Sequence, residues 1–232
     1  MTKLALFDFA NTLAELVPSR VDIVRGYIAE ASGIWVDAQC IKYAYQSLDL
    51  YMPYSSVSIR SVEQKMVFYD QYNKRLLEHL ALSHLVDSTG IYKAFLAAKP
   101  HWRLKEGVLE ALTEIRGSGW QIGIISNFDC NLERLLREEL GLIHLVDYLH
   151  VSQVEDCEKP DLDFYLGFFS HHQIQIDDAV YIGDSYVLDF LPAKKIGLKV
   201  CLIDEDGFFA YMPDSISGIN ELPARFSTGA II

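Results

Sequence analysis

Short runs of consecutive apolar residues alternate along this chain with longer segments in which apolar residues recur every three or four positions. The short runs are typical of strands buried on both faces of a parallel sheet. The longer spacing is typical of amphipathic helices. The alternation predicts an α/β fold, a Rossmann-like, doubly wound parallel sheet with helices on both faces. The predicted strands are 3–8, 121–126, 148–152, 179–184 and 199–204, and the predicted core helices are 107–116, 131–140 and 163–170.

Residues 14–99 follow a different pattern, with helical spacing in 20–32, 38–50 and 61–82 and no comparable strand run. We therefore predict a core formed by 1–13 plus 100–232 and an inserted all-helical domain at 14–99. This insertion is rich in tyrosine, and aromatic residues at helical spacing usually pack in a core. The tyrosines in question are Tyr43, Tyr45, Tyr51, Tyr54, Tyr69 and Tyr72, and the segment 52–56 interrupts the helices.

Composition narrows the classes of partner. The chain has 232 residues, is half apolar and carries a formal net charge of -12. Such an acidic protein repels phosphate backbones and anionic lipids, so we expect a small-molecule partner, no nucleic acid and no membrane. No apolar stretch approaches the roughly 20 residues that span a bilayer, and we predict a cytoplasmic protein. The pattern does not indicate an oligomeric state.

The cysteines are scattered and form no C-x-x-C pair, which argues against a zinc site and a disulfide framework. We predict that they are reduced and that Cys201, inside an apolar run, lies in the core. The four cysteines are Cys40, Cys130, Cys157 and Cys201.

Polar residues able to handle anions or cations follow most of the predicted core strands. In an open parallel sheet, ligands bind outside the carboxyl ends of the strands, so these residues should converge on one edge. The sequence therefore predicts one site there. Its candidates are Asp8 after the first strand, Ser126 and Asn127 at the second, Lys159 in the loop after the third, and Asp184 with Asp189 after the fourth.

Five of these six candidates also have an ordinary structural interpretation. Asp8, Asp184 and Ser126 could cap turns or helices. Asp189 could face solvent on a first helical turn, and Lys159 could be a surface lysine before a proline.

The order of these residues resembles the four motifs of the haloacid dehalogenase-like (HAD) superfamily. The matching segments are Asp8-x-x-x-Thr12, Ser126-Asn127, Lys159-Pro160 and Gly183-Asp184-Ser185 with Asp189. The insertion at 14–99 lies where many members of that superfamily carry a cap domain. Asn11 stands where relatives usually have glycine, and asparagine tolerates left-handed backbone better than most residues. The chain looks closest to a dehalogenase-like branch that lacks the second aspartate of the first motif.

The resemblance implies an enzyme, a hydrolase of small phosphorylated metabolites. Asp8 would attack phosphorus, and water would then hydrolyse the aspartyl phosphate. Mg²⁺, which prefers hard oxygen ligands, would offset the repulsion between the two anions. The implied metal ligands are Asp8, the backbone carbonyl of Ala10, Asp184 and, as a further ligand or acceptor, Asp189. The implied phosphate-binding residues are Thr12, Ser126, Asn127 and Lys159, and Lys159 would also act in catalysis.

Ala10 departs from the phosphatase pattern. In phosphatases of this superfamily, an aspartate at that position protonates the leaving alcohol and then activates water. General acid–base help of this kind contributes about 10²- to 10⁴-fold, so Ala10 predicts a weakened phosphatase.

Four alternatives stay open at this point. One is a phosphatase that acts on a substrate with an activated leaving group or that takes its acid from the substrate or from the cap. True 2-haloacid dehalogenases also lack this aspartate, but they use no metal, and Asp184 argues against that function. Phosphonoacetaldehyde hydrolases combine alanine with Mg²⁺ but need a cap lysine. Lys42, Lys65 and Lys74 lie in the insertion, but none of them has a surrounding sequence that matches that family. A non-catalytic relative that binds a phosphorylated ligand or a protein partner is the alternative outside enzymes.

Overall fold

The computed structural model describes residues 3–51 and 61–228. The chain divides into two compact units, Met1–Glu15 with Arg103–Ile232, and Leu16–Trp102. The domain assignment made from the sequence, a core of 1–13 plus 100–232 and a cap of 14–99, stays a prediction. The tyrosine at position 54 and the interruption at 52–56 lie outside the described residues, as do the side chains of Tyr51 and Lys65.

The first unit is built on a six-stranded sheet in the order β5-β4-β1-β6-β7-β8, in which every pair of neighbours is parallel. A separate two-stranded sheet pairs β2 with β3. This architecture confirms the predicted α/β, Rossmann-like fold. The strands are β1 (Leu4–Phe7), β2 (Ala14–Val17), β3 (His101–Leu104), β4 (Gln121–Ser126), β5 (Tyr148–Val151), β6 (Ala179–Gly183), β7 (Lys199–Ile203) and β8 (Ser215–Ile216).

Strand β1 lies in the middle of the large sheet, because all four of its side chains are apolar and fully buried. After β1 the chain builds β4 and β5 on one side, then returns to build β6, β7 and β8 on the other. Phe7 is paired with Ile124 of β4 and with Ile182 of β6. The residues that follow these three strands therefore emerge together at one edge, beside the point where the strand order reverses.

Helices pack against the sheet through apolar faces. On α8, the buried residues Phe164, Tyr165, Phe168 and Phe169 recur at helical spacing. The predicted helix over 131–140 is present as a short α-helix that continues into a π-helical turn. The helices of this unit are α5 (Val108–Gly117), α6 (Leu132–Arg134), α7 (Ser152–Glu155), α8 (Leu162–His172), α9 (Leu191–Lys195) and α10 (Leu222–Thr228), with π-helical turns at Leu135–Glu139 and Tyr186–Phe190 and 3₁₀ turns at Ile143–Leu145, Ile176–Asp178 and Ile219–Glu221.

The second unit contains the helices α1 (Arg20–Ser32), α2 (Ala38–Tyr51), α3 (Val62–His79) and α4 (Ser88–Ala98). Its core includes Tyr45 and Tyr72, whose rings are stacked, whereas Tyr43 and Tyr69 are exposed. Some tyrosines of this region are thus core residues and others are surface residues, and helical spacing alone did not distinguish the two groups.

Two features differ from the sequence prediction. The strand β2 begins inside the segment that was predicted to be wholly helical, because Ala14–Val17 pairs with a strand formed by His101–Leu104. The tail beyond Gly207, for which the sequence predicted no strand, contributes β8, which extends the sheet beside β7. No helix within the described residues combines the length and the apolar character that a membrane crossing requires.

Candidate active site

Asp8 is the first residue after β1, and its backbone N–H donates to the carbonyl of Ile182 at 2.9 Å. This bond extends the ladder with β6 by one residue and holds the Asp8 side chain at the carboxyl edge of the sheet. The chain then turns sharply, and Asn11 adopts left-handed backbone with φ 59°. The prediction that asparagine is tolerated in this turn is confirmed. Asp8 is 6% exposed.

Lys159 is 2% exposed, so its interpretation as a surface lysine is wrong. Its Nζ lies 2.7 Å from Asp8 Oδ1 and 2.7 Å from Asp189 Oδ1. The third N–H of the ammonium points to the hydroxyl of Tyr181 at 3.3 Å. One ammonium thus contacts two carboxylates and a phenol, all of them buried.

Asn127 holds the backbone of Lys159. Its amide nitrogen donates to the Lys159 carbonyl, and its amide oxygen accepts from the Lys159 N–H, each at 2.8 Å. This pair of bonds joins the end of β4 to the loop after β5. Both polar atoms of the Asn127 side chain bond to the loop, and its predicted contact with phosphate stays a prediction.

Asp189 is fully buried, so the interpretation as a solvent-facing acid is also wrong. Its Oδ1 accepts from Lys159 and from the Tyr181 hydroxyl, at 2.7 and 2.9 Å, and its Oδ2 accepts from the Ser185 N–H at 3.0 Å. It lies on the π-helical turn Tyr186–Phe190, a form of turn that is frequent at functional sites. A Cβ at Gly183 would come within 2.4 Å of this carboxylate, so glycine is required there.

Asp184 is half-buried and accepts a hydrogen bond from the Thr12 hydroxyl at 3.1 Å. The carboxylates of Asp8, Asp184 and Asp189 each offer an oxygen within 4.8 Å of the other two. Ser126 is buried at the end of β4, on the same edge of the sheet. Ala10 forms an isolated bridge with Ala14, and its side chain is a methyl group.

The electrostatics of this cluster are unbalanced, since three carboxylates share one ammonium. Burial raises the pKa of Asp8 to about 6, although Lys159 opposes the shift. Burial, followed by repulsion from Asp8 and Asp189, raises the pKa of Asp184 well above its usual value. Burial alone would lower the pKa of Lys159, but the two neighbouring carboxylates outweigh it and raise the pKa above the ordinary range. The site therefore has an excess of negative charge that a cation would relieve.

A family model described as haloacid dehalogenase-like hydrolase matches residues 2–197. The chain belongs to this family. The resemblance inferred from the ordered motifs is thereby confirmed, and so is the expectation of a HAD-superfamily hydrolase at the level of the family.

Individual members of the HAD superfamily are similar over most or part of the chain. Haloacid dehalogenase-like hydrolase domain-containing protein 3 of Xenopus laevis is 28% identical over 87% of this chain and 84% of its own length. Glyceraldehyde 3-phosphate phosphatase of Methanocaldococcus jannaschii is 27% identical over 45% of this chain and 43% of its own length. Among solved structures, the magnesium-bound HAD-hydrolase YfnB of Bacillus subtilis has a TM-score of 0.65 at 19% identity, covering 97% of this chain and 98% of the other, which is a likeness of fold.

Tyr181 and Tyr165 are parts of this HAD site that the motifs did not indicate. The Tyr181 hydroxyl lies 3.3 Å from the carbonyl of Ile125, in addition to its contacts with Asp189 and Lys159, and the Tyr165 hydroxyl donates to the carbonyl of Leu188. A signal was present, because Tyr181 interrupts an otherwise aliphatic strand and a buried phenol needs a polar partner. The sequence did not say which partner it would find.

Proposed function

We propose that this HAD-family protein is a Mg²⁺-dependent hydrolase of small phosphorylated molecules and that Asp8 is its nucleophile. The observation that carries the proposal is the cluster of the Asp8, Asp184 and Asp189 carboxylates, in which Asp8 and Asp189 are paired with the buried ammonium of Lys159. A carboxylate nucleophile divides one difficult displacement into two easier ones.

The residues present fit a magnesium ion. Mg²⁺ prefers oxygen ligands, commonly one or two carboxylates together with substrate phosphates and water. The candidate carboxylate ligands are Asp8 and Asp184, with the backbone carbonyl of Ala10 as a third oxygen. Asp189 is better suited to an indirect role, because both of its oxygens already accept hydrogen bonds. When bound, the ion would supply positive charge that lowers the repulsion between Asp8 and an incoming phosphate.

The protein's own residues account for the remaining steps. Lys159 holds Asp8 in place and keeps a positive charge beside the reacting phosphoryl group. Thr12 and Ser126 are the candidate donors to phosphoryl oxygens at the strand ends. Asn127 positions Lys159 through two hydrogen bonds to the Lys159 backbone, and it also stays a candidate donor to phosphate.

Two observations favour this function over the alternatives. A metal-free dehalogenase would hold Asp8, Asp184 and Asp189 together without a bound cation, and the mutual repulsion of the three carboxylates would cost stability. A binding protein has no need of a buried nucleophile held by an ammonium. A phosphonatase needs a cap lysine, and of the three lysines considered for that role from the sequence, the side chains of Lys42 and Lys74 are described. We propose this helical unit as the cap that selects substrates, since specificity is set by sites and loops and not by the core fold.

The experiment is a turnover assay with Mg²⁺ against a panel of phosphorylated metabolites and p-nitrophenyl phosphate, comparing the wild-type protein with Asp8→Asn. The matched control is Asp177→Asn, which makes the same change at an exposed position on the 3₁₀ turn Ile176–Asp178. We expect turnover to vanish in Asp8→Asn, to persist in the control and to be lost on removal of Mg²⁺ with a chelator.

Other outcomes would identify another function. Turnover that survives in Asp8→Asn would exclude Asp8 as the nucleophile. Halide release from 2-chloropropionate without added metal would indicate the dehalogenase, and inorganic phosphate that binds without any turnover would indicate a binding protein.

A further inference from the structure

The side chain next to the nucleophile limits which leaving groups this site can expel. When a carboxylate displaces an alcohol from phosphorus, the departing oxygen needs a proton, because an alcohol has a pKa near that of water, about 16. A phenol, with a pKa of about 10, needs less help, and a carboxylic acid, with a pKa of about 4, needs none. Ala10, two residues after Asp8, has no proton to give.

The polar groups around Asp8 in the described part of the chain do not replace a general acid. The protons of Lys159 are directed at Asp8, Asp189 and Tyr181. The Tyr181 hydroxyl is bonded within the same network, to Asp189. The Tyr165 hydroxyl donates to the carbonyl of Leu188, on the π-helical turn.

Lys105 lies beside the same turn, where its ammonium donates to the Asn11 carbonyl at 2.6 Å and pairs with Glu205 at 2.7 Å. Three further described groups at this edge are also unsuited to protonate a leaving group. Asp184, as a ligand of a cation, carries no proton. Thr12 and Ser126 are aliphatic alcohols, so they are no more acidic than the alcohol that would have to leave.

We propose that the physiological substrates are phosphate compounds whose leaving group is stable as an anion, namely acyl phosphates and phosphorylated phenols or enols. This inference rests on the proposed function. Asp8 forms a bond to phosphorus while the bond from phosphorus to the leaving oxygen breaks, and that oxygen departs with the electron pair as a carboxylate, phenolate or enolate. Water then adds to phosphorus, the bond to Asp8 breaks, and dihydrogen phosphate is released without a net proton transfer from the protein.

The test is the dependence of kcat/KM on the pKa of the leaving group. The probes are acetyl phosphate, p-nitrophenyl phosphate, phenyl phosphate and glycerol phosphate, each assayed with Mg²⁺ and the 232-residue chain. The ratio kcat/KM is used because it reports the steps up to departure of the leaving group. We expect acetyl phosphate to exceed glycerol phosphate by at least about 100-fold, the lower end of what a general acid contributes.

The variant Ala10→Asp supplies the missing acid, and Ala10→Asn is its matched control because an amide of the same size cannot protonate a leaving group. We expect Ala10→Asp to raise kcat/KM for glycerol phosphate at least about tenfold and to change that for acetyl phosphate by less than about threefold. The amide variant should give no such gain.

A wild-type kcat/KM that is the same across the series would overturn the inference, since it would show that a proton donor acts at this site. That result is distinct from failure of the proposed function, in which no member of the series is hydrolysed in an Asp8-dependent way. The wild-type series alone decides the matter if the variants at position 10 do not fold.

Discussion

Replacing Lys159 with methionine should be among the most destabilising single changes that the core of this protein can undergo. The substitution keeps the volume and removes the charge that faces two buried carboxylates. Nζ lies 2.7 Å from an oxygen of each, and at an effective dielectric constant of about 20, one such pair attracts by about 6 kcal/mol. Desolvation of the charges offsets much of this attraction. Breaking buried pairs by removing one partner costs about 3–5 kcal/mol, which is the loss we expect in the free energy of unfolding.

Lys194 provides a matched control. Its Nζ lies 2.6 Å from Asp214, a similar distance, but its side chain is 41% exposed whereas that of Lys159 is 2% exposed. Exposed pairs contribute about 0.2–1 kcal/mol, so Lys194→Met should lower the free energy of unfolding by no more than that. Burial, and not the distance between the charges, sets the expected difference.

The assay is urea denaturation of the wild type and the two variants, followed by circular dichroism without Mg²⁺ and again with it. We expect Mg²⁺ to return part of the stability lost in Lys159→Met, because the cation offsets the same carboxylate repulsion. Equal losses in the two lysine variants would refute the reasoning, since they would show that the buried carboxylates are not held by Lys159.

Three further predictions concern Gly183, His150 and Cys201, which all lie in the first unit. Gly183→Ala should cost about 1–3 kcal/mol of unfolding free energy and lower kcat, because its Cβ would lie 2.4 Å from the Asp189 carboxylate; unchanged urea midpoint and kcat would contradict this. Burial lowers the pKa of His150, so the folded state binds fewer protons than the unfolded state as pH falls below about 6.5, and the free energy of unfolding should fall there by up to about 1.4 kcal/mol per pH unit. In urea titrations from pH 7.5 to 5, His150→Asn should lose this contribution to the pH dependence, and an unaltered dependence would contradict the prediction. Burial raises the pKa of Cys201 to about 12, so a thiol reagent at pH 8 should label the exposed Cys40 rapidly and Cys201 only after unfolding. Labelling is followed by mass spectrometry, and early labelling of Cys201 would disprove the prediction.

Much of the fold could be predicted because it depends on local patterns. The apolar runs at 3–8, 121–126 and 179–184 contain strands, as predicted. These strands are almost wholly apolar because both faces of the sheet are covered. The convergence of strand ends followed from the same pattern, because parallel neighbours share a direction. The strand β2 escaped prediction because four residues, paired only with another short strand, carry little periodic signal.

The order of the motifs in the sequence predicted that Asp8, Lys159 and Asp184 lie at one site. The residue types did not predict whether these side chains are buried or exposed. Lys159 before a proline is compatible with an exposed loop, and Asp189 on a helical turn is compatible with a solvated acid. Their burial is decided by residues far away in the chain, since Lys159 meets Asp8 across 151 positions.

The local alternation of apolar and polar residues was thus enough to predict the sheet and the edge where the site forms, and the ordered motifs were enough to indicate the family. The tertiary structure alone decided which hydrogen-bond partners the polar groups of the site find. The Asn127 amide bonds to the Lys159 backbone, and the Tyr181 hydroxyl contacts both Asp189 and Lys159. The physical reason is that periodicity records which face of an element is covered, whereas a hydrogen bond depends on strand order, register and side-chain rotamer together. These are set only when the whole sheet has assembled.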